Sequence, residues 1–174
     1  VTPRLGHLQE LPVRARKRCV FHFRSPARLQ GCGLVIDPTG VYFRPEGQGF
    51  IGGVAPHAGR DPDITDLADF EADHALFADV VWPALAHRVP GFEALRVLSS
   101  WAGHYDVNLF DANVIVGPHP EVGNLLFANG FSGHGLQRSP AVGRALAEWI
   151  CDGGWRSLDL SALGWQRVID ARPL

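Results

Sequence analysis

The residues of this chain best spaced for chemistry are Gly130-Phe131-Ser132-Gly133-His134-Gly135-Leu136-Gln137. Three glycines fall within six positions. They let the backbone turn sharply and come close to a ligand. The apolar run Leu125-Leu126-Phe127-Ala128 precedes them, and residues 141–150 carry a helical pattern. The stretch therefore reads as strand, glycine turn, helix N-terminus. Free N–H groups and the positive dipole end of such a helix favour an anionic or electron-rich partner. The glycine spacing differs from a dinucleotide-binding loop, Gly-x-Gly-x-x-Gly with an acidic residue about 20 positions on.

The elements that must carry this turn are short. Residues 1–18 read as polar and irregular. Cys19-Val20-Phe21-His22-Phe23 reads as a strand. Leu34-Val35-Ile36, Val41-Tyr42-Phe43 and Phe50-Ile51-Gly52-Gly53 follow, separated by Gly/Pro turns, as in an antiparallel meander. Residues 69–87 carry apolar side chains at helical spacing, with Asp69, Glu71 and Asp73 in the expected first turn and Pro83 expected to kink or divide the helix. Strands are expected at Leu95-Arg96-Val97-Leu98 through Trp101, at Val114-Ile115-Val116, and at residues 125–128. Ser139-Pro140 reads as an N-cap and first residue of a last helix over 139–151, stopped by Asp152-Gly153-Gly154. Strands, helix, strands, helix is an α+β order.

The chain has 174 residues, a formal net charge of −2, 46% hydrophobic and 20% charged residues. That is the size and balance of one globular domain. It gives no electrostatic case for nucleic acid or an anionic membrane. No apolar run approaches the ~18–20 residues of a transmembrane segment. Residues 1–18, charged and proline-bearing, do not read as a signal peptide. Cys19, Cys32 and Cys151 lie far apart with no Cys-x-x-Cys pair, which suggests reduced thiols in a cytoplasmic-type compartment. His7, His22, His57, His74, His87, His104 and His119 are scattered without metal-ligand spacing, so no metal is expected. Asp106 and Asp111 read as turn caps. Trp101 and Phe131 read as packing residues. The chain contains no methionine and begins at Val1 with no βαβ unit before its first strand. The expectation is the C-terminal part of a longer protein, or a remnant of one.

Three patches line up: Val41-Tyr42-Phe43-Arg44-Pro45-Glu46-Gly47 with Gly49-Phe50-Ile51-Gly52-Gly53; Trp101-Ala102-Gly103-His104-Tyr105 with Asp111 and Val114 to Pro118; and Phe127-Ala128-Asn129-Gly130 onward to Gly143. Together they resemble the C-terminal half of FAD-dependent oxidoreductases of the D-amino-acid oxidase/sarcosine oxidase superfamily. Within it they resemble the mitochondrial branch linked to assembly of respiratory complex I. The resemblance implies an antiparallel substrate-domain sheet with helices in residues 1–112. Residues 113–174 would be the return to the FAD-binding domain. The dinucleotide (Rossmann) half is expected to be missing from this chain.

The resemblance also implies a cofactor, FAD, and a small amine or amino-acid substrate oxidised by hydride transfer to flavin. Gly103, Gly130, Phe131, Ser132, Gly133, His134, Gly135, Leu136 and Gln137 would meet the cofactor. Tyr105, Tyr42 and Arg44 would face the substrate, with Arg44 suited to a carboxylate. Gly103 stands where some sarcosine oxidases attach FAD through cysteine, so covalent attachment is not expected. Gln137 stands where those enzymes hold the substrate carboxylate with lysine, which argues against sarcosine. The other readings are an assembly or interaction factor derived from a flavoprotein, and a catalytically incompetent fragment. The missing N-terminal FAD-binding half would be a partner. The compartment would be mitochondrial for a eukaryotic source.

Overall fold

The structure is a computed structural model that describes residues 10–56 and 58–174. His7, His57 and the first nine residues of the expected irregular lead lie outside the described residues. The chain divides into two compact units, Arg16–His104, and Tyr105–Leu174 with the described residues up to Ala15.

The first unit is built on a sheet of strands β1 (Val13–Arg24), β2 (Val35–Ile36), β3 (Val41–Glu46), β4 (Gly49–Val54) and β5 (Arg96–Asn108), in the order β2-β3-β4-β1-β5. β1 and β5 each continue beyond the unit's boundary. β2 pairs antiparallel with β3, β3 with β4, and β4 with β1. The expected meander is present. β1, however, begins at Val13, where an irregular lead was expected. Its first half places an arginine at every second position, which hides the strand's apolar alternation. Those cations are paired: Arg18 makes a bidentate bond to Asp61 at 2.7 and 2.8 Å, and Arg16 meets Asp63 at 2.8 Å.

Alternation sends Cys19, Phe21, Phe23, Val41 and Phe43 to one face, where they are buried. Helical residues cover that face. Phe92, on a 3₁₀ turn over Pro90–Ala94, is fully buried and meets Phe23, Phe43 and Phe50 edge-on at centroid distances of 5.3, 5.1 and 4.9 Å.

The helix expected over 69–87 is shorter and divided. α1 (His74–Leu76) runs into a π turn at Phe77–Val81 and then α2 (Trp82–Arg88). Residues 66–73 do not enter the helix because their carboxylates bond nearby backbone. Asp66 accepts from Ala68 N–H, Asp69 from Glu71 N–H, and Asp73 caps α1 through Leu76 N–H. Asp69, Glu71 and Asp73 are therefore before the helix, not in its first turn. Pro83 explains the division: it has no N–H to give, and its ring would strike the carbonyl four residues back.

The second unit holds the hairpin β6 (Ile115–Pro118) and β7 (Leu126–Asn129), then α3 (Gly135–Asp152) and α4 (Gln166–Ile169). Val114, Val116, Val142, Ala145 and Leu160 form its core. α3 begins at Gly135, four residues before the expected Ser139. Ser139-Pro140 is a false start. Pro140 sits inside the helix, and the Leu136 carbonyl it cannot serve accepts the Ser139 hydroxyl at 2.9 Å. The expected stop is present: Gly153 takes the left-handed conformation (φ 73°) and donates its N–H to Trp149. Among the described residues no helix is long and apolar enough to cross a membrane.

Candidate functional site

Between β7 and α3 the backbone adopts three left-handed residues in four, Gly130 (φ 73°), Ser132 (φ 52°) and Gly133 (φ 92°). Such a run turns successive N–H groups to one side. Asp106, near the end of β5, occupies that side. Its carboxylate accepts from Gly130 N–H at 2.7 Å and Phe131 N–H at 3.1 Å, and its main-chain carbonyl accepts from Ser132 N–H at 3.1 Å. Two residues on, Asn108 donates its N–H to the Ser132 hydroxyl at 3.0 Å. The turn is thus fastened to β5 by four bonds.

α3 begins directly after this turn, at Gly135. His134 is the N-cap residue, its N–H is taken by Phe131 O, and among the described residues no side chain caps the helix. The N–H groups of Gly135, Leu136 and Gln137 have no intrahelical acceptor. No acidic residue lies in the first turn. Leu136 is 89% exposed. This end can accept an anionic or electron-rich group.

Two glycines fix what can approach. A Cβ on Gly133 would stand 2.4 Å from Cε2 of Tyr105. The tyrosine ring therefore packs directly on the turn. At Gly103 an added Cβ meets nothing within 4 Å among the described residues. Tyr105 stands two positions along β5 from Gly103.

In the first unit, Tyr42, Arg44 and Gly103 lie on one face of the sheet. Phe43 and Ala102 pack on the core side, so their neighbours along each strand point away. Tyr42 is opposite Gly53, which is opposite Val20; Arg44 is opposite Ile51, which is opposite His22. The Tyr42 hydroxyl lies 3.0 Å from where a Gly53 Cβ would be. Arg44 is ion-paired to Glu46 on the same face. Trp101 is on this face too and is 47% exposed. Gly130 to Gln137 and Tyr105 belong to the other unit.

The turn-capping reading of Asp106 and Asp111 matches the geometry, but Asp111 does more. It forms a buried ion pair with Arg167 at 2.6 Å, both side chains 6% exposed or less. Asn108, also buried, donates to Asp111 at 3.1 Å and to Asn113 O at 2.6 Å. Arg167 donates further to the carbonyls of Asn113 and Val114. Sequence reading missed Arg167 and Asn108. The available signal was a lone arginine between apolar Trp165 and Val168, too local to name a partner 56 residues away.

The sheet, the fastened turn and the open helix end define a class. The chain belongs to the FAD-dependent oxidoreductase family: the model of that family, DAO, matches residues 1–149. It is 51% identical over 168 residues to FAD-dependent oxidoreductase domain-containing protein 1 of Xenopus laevis, covering 95% of this chain and 33% of that protein. The chain thus spans about a third of the length of the curated relatives it matches. Among solved structures, L-proline dehydrogenase from P. horikoshii superposes with a TM-score of 0.81 at 25% identity, covering 97% of this chain and 44% of that one. Glycine oxidase from Geobacillus kaustophilus shares the fold, with a TM-score of 0.72 at 24% identity over 89% of this chain and 39% of that one.

The residues present fit the family's cofactor. Among the described residues the first turn of α3 has no side-chain cap and no acidic residue, so its N–H groups are left for an electron-rich group such as the flavin's pyrimidine edge.

Proposed function

We propose that this chain forms the cofactor-facing turn and the substrate-side sheet of an FAD-dependent oxidoreductase acting on a small amine or amino acid. The observation that carries this reading is the turn fastened by Asp106 in front of an uncapped helix end. When bound, FAD supplies the acceptor for a hydride from the substrate C–H. Gly135, Leu136 and Gln137 N–H would stabilise negative charge at the pyrimidine edge of the ring. Gly130, Phe131 and Ser132 hold the turn rather than the ligand, because their N–H groups are taken. Gly133 and His134 shape its approach. Gly103, in the first unit, remains a candidate cofactor-facing residue: among the described residues nothing lies within 4 Å of where its Cβ would be.

In the first unit Tyr42 and Arg44 would face the substrate, beside Gly53 and Ile51 on the same sheet face; in the second unit Tyr105 is the candidate substrate-side residue. Arg44 must exchange Glu46 for a substrate carboxylate, an exchange of one exposed ion pair for another. Residues 1–112 would then be substrate domain and 113–174 the return to the cofactor domain. The names of L-proline dehydrogenase and glycine oxidase support an amino-acid or secondary-amine substrate.

A second reading, a flavoprotein-derived assembly factor with secondary catalysis, is favoured by the neutral Gln137 and by Arg44 being already paired. Anaerobic mixing of the FAD-loaded full-length protein with a panel of amines and amino acids tests the two. Bleaching of the flavin by one class supports the oxidoreductase. Retained colour with every compound supports the assembly factor.

A further inference from the structure

We infer that Asp106 is a positioning residue that fixes the turn before α3 and lowers the reduction potential of a flavin held there. This deepens the flavin reading of the turn and rests on it. Three successive backbone N–H groups, those of Gly130, Phe131 and Ser132, all donate to this one residue, 24 to 26 positions earlier in the chain. A backbone nest of this kind is an anion site, and here an internal carboxylate fills it. Filling it has two consequences.

The first is directional. With those donors turned toward β5, the N–H groups of Gly135, Leu136 and Gln137 are left to a ligand. Only glycine fits at the start of this turn, because a Cβ on Gly130 would stand 2.9 Å from Asn108 Cβ and 3.2 Å from Val13 Cγ2. The second is electrical. The positive end of α3 carries no acidic residue in its first turn, so Asp106 is the carboxylate bonded to the turn itself. Reduction adds negative charge to the flavin's pyrimidine edge. A fixed negative charge behind the turn opposes that gain and favours the oxidised form.

Asp106→Asn and Asp106→Ala in the full-length protein separate these effects. Asparagine keeps an oxygen to accept the two N–H bonds and removes the charge. Alanine removes both. For Asp106→Asn, FAD affinity is expected to stay within about threefold. The ratio of reduced to oxidised flavin affinity should rise about three- to tenfold, which for a two-electron couple is about 15–30 mV upward. For Asp106→Ala, FAD affinity should fall about ten- to a hundredfold, the loss of charge-assisted bonds, while far-ultraviolet circular dichroism stays unchanged. A purely structural role would leave the potential where it is. A wild-type protein that holds no flavin overturns the cofactor reading and this assignment together. Flavin in the wild type with an unchanged potential in Asp106→Asn overturns this assignment alone.

Discussion

The ring of Tyr105 occupies the space that any side chain on Gly133 would need: an added Cβ would lie 2.4 Å from Tyr105 Cε2 and 2.9 Å from Cδ2. Gly133 also has φ 92°, a backbone state that side chains other than glycine's rarely adopt. Gly133→Ala is therefore expected to destabilise the second unit by about 2–4 kcal/mol, from strain and overpacking together. Tyr105→Ala in the same chain removes the clash but not the backbone strain. The double variant should recover only part of the loss, read from urea denaturation midpoints in a double-mutant cycle.

Phe92 is the meeting point of three rings from three strands and is fully buried. Phe92→Ala is expected to lose about 3–5 kcal/mol. Chemical denaturation checks this. A loss below about 1 kcal/mol would mean that the core does not depend on that contact.

Arg167 and Asp111 bury opposite charges 2.6 Å apart, and Arg167 Nε is buried without a partner among the described residues. Breaking a buried pair from one side leaves the other charge uncompensated, a loss of about 3–5 kcal/mol. Arg167→Met should show this loss. Asp111→Asn in the Arg167→Met background should regain part of it, because asparagine keeps an acceptor for Asn108 and Asn113 without the charge.

The Ser157 hydroxyl, the Ser157 N–H and Arg144 hold the Glu148 carboxyl down to about 2, from an ordinary 4.5. A lowered value in the folded state means that these bonds support the fold above the ordinary range. The support is lost as pH falls from about 4.5 toward about 2. The protection of the Arg156 and Ser157 amides, which both donate N–H to Glu148, measured against their intrinsic exchange rates, should fall across that window. Glu148→Gln should remove the pH step.

The strand-turn-helix around Gly130–Gly135 was legible because glycine spacing and apolar runs mark it locally. The meander from Val35 to Val54 was legible for the same reason. What failed depended on partners far along the chain or on side chains that bond nearby backbone in place of the expected pattern. The first half of β1 looked irregular until Asp61 and Asp63 neutralised Arg18 and Arg16. The helix over 69–87 looked longer because apolar spacing continued through residues whose carboxylates cap backbone instead. Ser139-Pro140 imitated a helix start that the Leu136 carbonyl shows to be interior. The bonds of Asp106 to the turn and of Arg167 to Asp111 span 24 and 56 residues, beyond any local pattern.

In the proposed reading the N-terminal end of α3, Gly135 to Gln137, meets the flavin, held in place by the turn that starts at Gly130. The most direct measurement is the FAD content and affinity of the purified full-length protein beside its Gly133→Ala variant, at a temperature where that variant is folded. Flavin fluorescence quenching gives the affinity, and circular dichroism gives the fold. The expected result is FAD near one per chain in the wild type and its loss from a still-folded variant. Equal FAD affinity in both proteins would contradict the claim.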